Sequence, residues 1–149
     1  MDDIDKTIIR RIMDQGRITW SELGSILGLS APAAAERVRK LEEKGIIKGY
    51  SAQVDPEAVG CGLTAFISLT LERPEHRSDF LKAVGEMSEV LECHHITGDE
   101  DYLLKIRCPG IKSLEYIVSR NLKGIAGVTK TRTTVVLSTV KETTAMPIP

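Results

Sequence analysis

The period of the apolar residues changes once along this chain, and that change decides what it can fold into. Up to Ile47 the apolar positions recur at helical spacing; from Leu63 onward they alternate, with helical stretches interposed. Residues 4–15 place Ile4, Ile8 and Ile12 on one helical stripe, flanked by Ile9 and Met13, and Gly16 supplies a stop. Thr19-Trp20-Ser21-Glu22 has the T-x-x-E form of a capping box, so a second helix is expected from about Thr19 to Gly28. Gly24 inside it costs about 1 kcal/mol against alanine, which calls for a packing reason such as a helix crossing close by. A third helix is expected from near Ser30 to Gly45, with Ala34, Val38 and Leu41 as its core stripe and with Pro32 disfavouring a helical Ala31.

The second half reads differently. "LTAFISLTLE" (63–72) alternates Leu63, Ala65, Ile67, Leu69 and Leu71 against Thr64, Phe66, Ser68 and Thr70, the pattern of a half-buried strand. A helix carrying Phe80, Leu81 and Val84 follows, then the strand "EVLECHHIT", the turn "GDED", the strand "YLLKIRC", the helix "GIKSLEYIVSRNLKG" and one long β-branched strand, "VTKTRTTVVLSTVKE". The order β-α-β-β-α-β is that of the ferredoxin-like motif. Two helices can cover one face of such a sheet. The other face, with Phe66 among threonines, valines and serines, is expected to be covered by a partner sheet from a second copy, with an unrelated protein as the alternative.

Composition excludes more than it assigns. The formal net charge of the 149 residues is −1, so any contact with nucleic acid must come from a local patch. Cys61, Cys93 and Cys108 are odd in number and widely spaced, which fits neither a disulfide framework nor a zinc ribbon and suits reduced thiols in the cytoplasm. No apolar run approaches the ~20 residues that span a bilayer, so no membrane partner is expected. Cys93, His94 and His95 are successive strand residues pointing to alternate faces, so they cannot surround one metal ion. No Ser-His-Asp set and no Gly-rich phosphate loop is present, and neither a catalytic centre nor a cofactor is expected.

The third helix carries the chemistry. Opposite its core stripe lie Pro32, Ala33, Glu36, Arg39 and Lys40, with Arg37 at the flank. A helix that follows a tight turn, small near its start and basic further on, fits the major groove of double-stranded DNA. Alanine allows close approach and touches thymine methyl groups, while arginine and lysine reach phosphates or guanine edges. The competing reading is a solvated helix whose basic residues pair with Glu36, Glu42 and Glu43.

The segment from "DDIDKTIIRRIMDQG" through "ELGSILGLSAPAAAERVRKLEEKGIIKGY" to "SAQVDPEAVG", together with the downstream "ITGDEDYLLKI", resembles the leucine-responsive regulatory protein and asparagine-regulator (Lrp/AsnC) family over nearly the whole chain. The resemblance implies an α+β chain: a winged helix-turn-helix domain with a linker strand over 1–60, and a ferredoxin-like βαββαβ domain over 61–149 that binds a small amino acid and dimerises, with further assembly to tetramers or octamers. The DNA-contacting residues would be Ala33, Glu36, Arg37, Arg39 and Lys40. The effector turn would be Thr97, Gly98, Asp99, Glu100 and Asp101, where a glycine permits close backbone approach and the amides and carboxylates of a tight turn suit a ligand's carboxylate and ammonium. The run of alanines at 33–35, where the family often has a bulkier side chain, leaves the operator sequence open. Two rival functions stand beside this regulator: an architectural DNA-binding protein that needs no effector, and an enzyme built on the ferredoxin-like half.

Overall fold

A computed structural model describes all 149 residues. The chain forms two compact units. One comprises Met1–Gln53 together with Lys141–Pro149, the other Val54–Val140. The boundary therefore falls earlier than residue 60, and the C-terminal tail belongs with the first unit.

The first unit is three helices: α1 (Asp3–Asp14), α2 (Trp20–Leu27) and α3 (Ala31–Glu43). The Thr19 capping signal is realised. The Thr19 hydroxyl accepts from the Glu22 amide at 3.2 Å, and the Glu22 carboxylate accepts from the Thr19 amide at 2.9 Å. Asp2 and Asp5 form the same reciprocal box at the start of α1. Ser30 caps α3 by accepting from the Ala33 amide at 3.3 Å, so Ala31 is the first helical residue and Pro32 sits in the first turn, where its missing N–H costs nothing. Ile8, Ile12, Leu23, Ala34, Val38 and Leu41 make the core.

Gly24 is buried against the turn into α3 and the first residue of that helix, whose Ala31 nitrogen would lie 3.3 Å from a β-carbon. A β-carbon there would lie 2.7 Å from the Leu29 carbonyl oxygen and about as close as 3.2 Å to Ser30, so what needs the space is the turn into α3. That turn is made by Gly28 in the left-handed conformation (φ 66°) and closed by the Leu29 amide on the Gly24 carbonyl at 2.8 Å. Residues 44–62 form no strand, so the linker strand is absent from this chain. Tyr50 instead donates to the Glu42 carboxylate at 2.8 Å and ties the segment to α3.

The second unit is a four-stranded antiparallel sheet, β1 (Leu63–Leu71), β2 (Val90–His95), β3 (Tyr102–Cys108) and β4 (Val128–Val135), in the order β2-β3-β1-β4. This is the ferredoxin-like arrangement. Helix α4 (Arg77–Gly85), entered through a 3₁₀ turn, and α5 (Ile111–Tyr116), continued by a π-turn to Leu122, cover one face. Ala65, Ile67 and Leu69 of β1 and Tyr102, Leu104, Ile106 and Cys108 of β3 meet Phe80, Val84, Leu114, Ile117 and Leu122 in the core. The opposite face is more charged than its threonines and Phe66 suggested, because Lys105, Glu92 and His94 are linked across β3 and β2. The last strand also ends early, at Val135, seven residues short of the β-branched run that encodes it.

Candidate nucleic-acid interface and effector turn

Helix α3 buries Ala34, Val38 and Leu41 and leaves Pro32, Glu36, Arg39 and Lys40 exposed, with Ala33 half-buried at its start. The chain thus brings Ala33, Glu36, Arg39 and Lys40 onto one face. Their charges are already matched within the helix. Arg39 gives a forked pair of hydrogen bonds to the two Glu36 oxygens, at 2.8 and 2.7 Å, and also contacts Glu43. Lys40 lies 3.7 Å from Glu36. The hydrogen bonds from Arg39 hold the Glu36 carboxyl below the usual carboxylate range, and Glu36 in turn raises the Arg39 guanidinium above its ordinary value. The same face therefore carries both the ion pairs and the basic groups: Glu36 holds Arg39 in a fork, and a phosphate or base edge would compete with that glutamate for its N–H groups.

Arg37 is different. Its guanidinium donates to Asp2 and to Asp5, each at 2.9 Å, so it joins α3 to the capping box of α1 instead of facing outward with Arg39. These contacts raise its pKa, the Asp2 bond being the larger cause. The Asp2 carboxyl is lowered first by the Asp5 amide and then by Arg37. Arg37 therefore stands apart from the Arg39 face, engaged by two aspartates that lie 35 and 32 residues away in the sequence.

In the second unit, residues 97–101 form the turn between β2 and β3. Thr97, Gly98 and Asp99 are exposed, and Gly98 has φ 119°, a conformation that side-chain-bearing residues rarely adopt. The acidic members are already engaged. Glu100 is buried and paired with Arg132 of β4 at 2.9 Å. Asp101 accepts from the Leu71 amide at 2.8 Å, its own amide donates to the Leu69 carbonyl, and its carbonyl accepts from Ile96. The carboxylate of Asp101 caps the end of β1 where the β1–β4 register shifts, so one of its oxygens already accepts from a backbone amide. What the turn leaves open is the backbone and side chains of 97–99.

Cys93 and His95 lie on one face of β2, paired with Leu104 and Tyr102, while Glu92 and His94 lie on the other. His95 stacks on Tyr102 with ring centroids 5.0 Å apart. No group of three or more His, Cys, Asp or Glu side chains converges on a point that could hold a metal, and no helix is long and apolar enough to cross a membrane.

A capped helix-turn-helix with an exposed recognition face, carried on one chain with a separate ferredoxin-like sheet, defines a two-unit DNA-binding regulator. Comparison with known proteins specifies it further. Residues 1–48 match the winged helix-turn-helix DNA-binding profile, and residues 64–146 match the Lrp/AsnC ligand binding domain. The leucine-responsive regulatory protein of Escherichia coli K12 is 38% identical over 150 residues, spanning 99% of this chain and 92% of its own. A transcriptional regulator of Neisseria meningitidis solved in complex with L-methionine superposes with a TM-score of 0.94 at 33% identity, covering 99% of this chain and 96% of that one. The feast or famine regulatory protein of Mycobacterium tuberculosis, also complexed with L-methionine, gives a TM-score of 0.91 at 38% identity, with 99% of each chain covered. The chain belongs to the Lrp/AsnC family of transcriptional regulators.

Proposed function

We propose that this regulator inserts α3 into the major groove of double-stranded DNA, with Ala33 and Glu36 against the bases and Arg39 and Lys40 on phosphates or guanine edges. Arg37 acts as a positioning residue that fixes α3 against α1. A small amino acid of the methionine class binds at the second unit, with the exposed residues Thr97, Gly98 and Asp99 lining its approach and Glu100 and Asp101 holding the turn in shape. The chain works as a homo-oligomer, a dimer that assembles further, in the cytoplasm, and as a regulator rather than an enzyme. The observation that carries this reading is the exposed face of α3 following a left-handed Gly28 turn and a Ser30 cap.

Two measurements test it. Titrating a DNA fragment that the full chain selects from a random pool, with and without L-methionine, is expected to show an affinity shift worth ~1–3 kcal/mol of coupling. Gly98→Val, which forces a β-branched side chain into a positive-φ position, is expected to remove the shift while leaving unliganded binding intact. A wild-type chain that binds DNA identically with and without each of the twenty amino acids would favour an effector-independent architectural role. Loss of the shift in Arg39→Ala alone, with Gly98→Val unaffected, would relocate the effector site.

A further inference from the structure

Residues 128–142 read as one β-branched strand, yet the strand stops at Val135. Its neighbour explains why. Val136 gives its amide to the Thr64 carbonyl at 2.9 Å, and β1 begins at Leu63, preceded by a turn in which the Cys61 amide donates to Pro56. Nothing within the chain remains for residues 137–140 to pair with. Leu137 and Val140 are left 98% and 97% exposed, the barest large apolar residues in the protein. A β-prone, apolar piece without a partner strand or a cover is what a chain shows when its partner is another molecule.

Beyond this piece, the tail Lys141–Pro149 lies on the DNA-binding unit. The Met146 amide meets the Met13 sulfur at 3.3 Å, and the Arg10 guanidinium donates to the Ile148 carbonyl at 3.2 Å. Together they border a cavity of about 990 Å³ lined by Ile9, Met13, Ile46 and Tyr50 with Met146 and Ile148. Pro147 and Pro149 have no amide to give, so the end of the tail is poorly suited to a sheet interior. It sits on adaptable thioether and aliphatic surface with two polar anchors, and such a seat is easily left and re-formed.

We infer that this C-terminal segment is exchanged between two copies of the chain. Residues 137–140 cross to a second copy, burying Leu137 and Val140 against it, and residues 141–149 occupy the seat on that copy's α1. The groove and tail are the same in every copy, so exchange keeps each seat contact and adds the cover that the lone chain lacks. The arrangement is reciprocal, as a two-fold dimer requires. This rests on the homo-oligomer reading above.

The test mixes two full-length chains, one carrying Met13→Cys and the other Met146→Cys, the second made with heavy nitrogen. They are unfolded and refolded together, treated with a short bismaleimide and analysed by mass spectrometry for peptides joining residue 13 to residue 146. A chain carrying both substitutions shows that the two sites lie within reach, and the pair Arg10→Cys and Ile148→Cys serves if either methionine variant fails to fold. The expected result is a light–heavy linked peptide in the mixture and covalent dimers from the doubly substituted chain. Looped monomers from the doubly substituted chain with no linked peptide in the mixture would overturn the exchange. Sedimentation of the same samples separates the two ideas: dimers without the inter-chain link refute exchange alone, whereas monomers refute the oligomer reading as well.

Discussion

Replacing Gly24 by alanine should destabilise the DNA-binding unit, although glycine-to-alanine in a helix interior ordinarily stabilises by about 1 kcal/mol. The new β-carbon would stand 2.7 Å from the Leu29 carbonyl oxygen, 3.2 Å from the Ser30 carbonyl carbon and 3.3 Å from the Ala31 nitrogen. All three are backbone atoms, and the turn cannot yield freely: the Leu29 amide is bonded to the Gly24 carbonyl, and Ser30 caps α3. Overpacking of this kind costs ~1–3 kcal/mol or more. Set against the gain in propensity, the net loss is up to about 2 kcal/mol, at roughly 4–8 °C in melting temperature for each kcal/mol in a unit of this size. Gly85 is the matched control. It closes α4 with no neighbour within 4 Å of a β-carbon and no positive φ, so Gly85→Ala should be neutral or stabilising by up to ~1 kcal/mol. Calorimetric melts of both variants beside the parent decide the matter. A Gly24→Ala chain that melts at or above the parent's temperature would refute the claim that the turn into α3 is what demands glycine.

Other expectations follow from the same contacts. Arg39→Ala and Lys40→Ala should each lower the log–log salt slope of DNA binding by about one, Arg37→Ala should lower the melting temperature with the slope unchanged, and Glu36→Gln, which frees both cations, should tighten binding to random-sequence DNA; a filter-binding series over salt reads all four. The Glu22 carboxyl is held below its ordinary value by the Thr19 amide and then the Thr19 hydroxyl. Its contribution is therefore full above the unfolded carboxyl value and is lost as pH falls through the depressed one. Thr19→Ala should cost ~1 kcal/mol at neutral pH and flatten that acid limb in a melting-temperature profile against pH. Asp101→Ala leaves the half-buried Leu71 amide without its acceptor and should cost ~1–3 kcal/mol in urea unfolding; an unchanged midpoint would mean that water replaces the carboxylate.

What could be read in the sequence was what is local. Capping boxes and apolar periods act over three or four residues, and the three helices of the first unit and the βαββαβ order follow from them. The contacts that assign roles are not local. Arg37 reaches Asp2 and Asp5 across 35 and 32 residues, and Asp101 reaches Leu71 across 30. Each carries a charge that a periodicity argument counts as exposed, and only the fold shows the partner. The misread end of β4 has the same origin: β propensity spans residues 128–142, but a strand lasts only as long as its neighbour, and β1 starts at Leu63. Gly24 shows the reverse case, in which the need for space was visible and the occupant was not.

The pairing of charges on α3 also bears on how such a protein can be regulated. Arg39 and Lys40 share Glu36, and Glu43 adds a second acidic contact, so an isolated recognition helix offers DNA little uncompensated positive charge. Salt-dependent phosphate attraction by α3, the usual source of non-specific affinity, is then limited to the contacts that Arg39 and Lys40 make in competition with Glu36. Tight binding then has to come from base contacts repeated over several half-sites, where joining two heads converts the second binding step into an intramolecular one and multiplies affinity without any new contact. An effector held in the second unit need not touch α3 to govern it. Only a preference for one state of assembly is required, because a ligand shifts an equilibrium by its differential affinity and no more. The chain passes between its two units twice, at Gln53–Val54 and at Val140–Lys141. If the second passage leads to another copy, as inferred above, then assembly and the seating of the DNA head are one equilibrium. Removing residues 141–149 should in that case weaken binding to paired half-sites far more than to a single one.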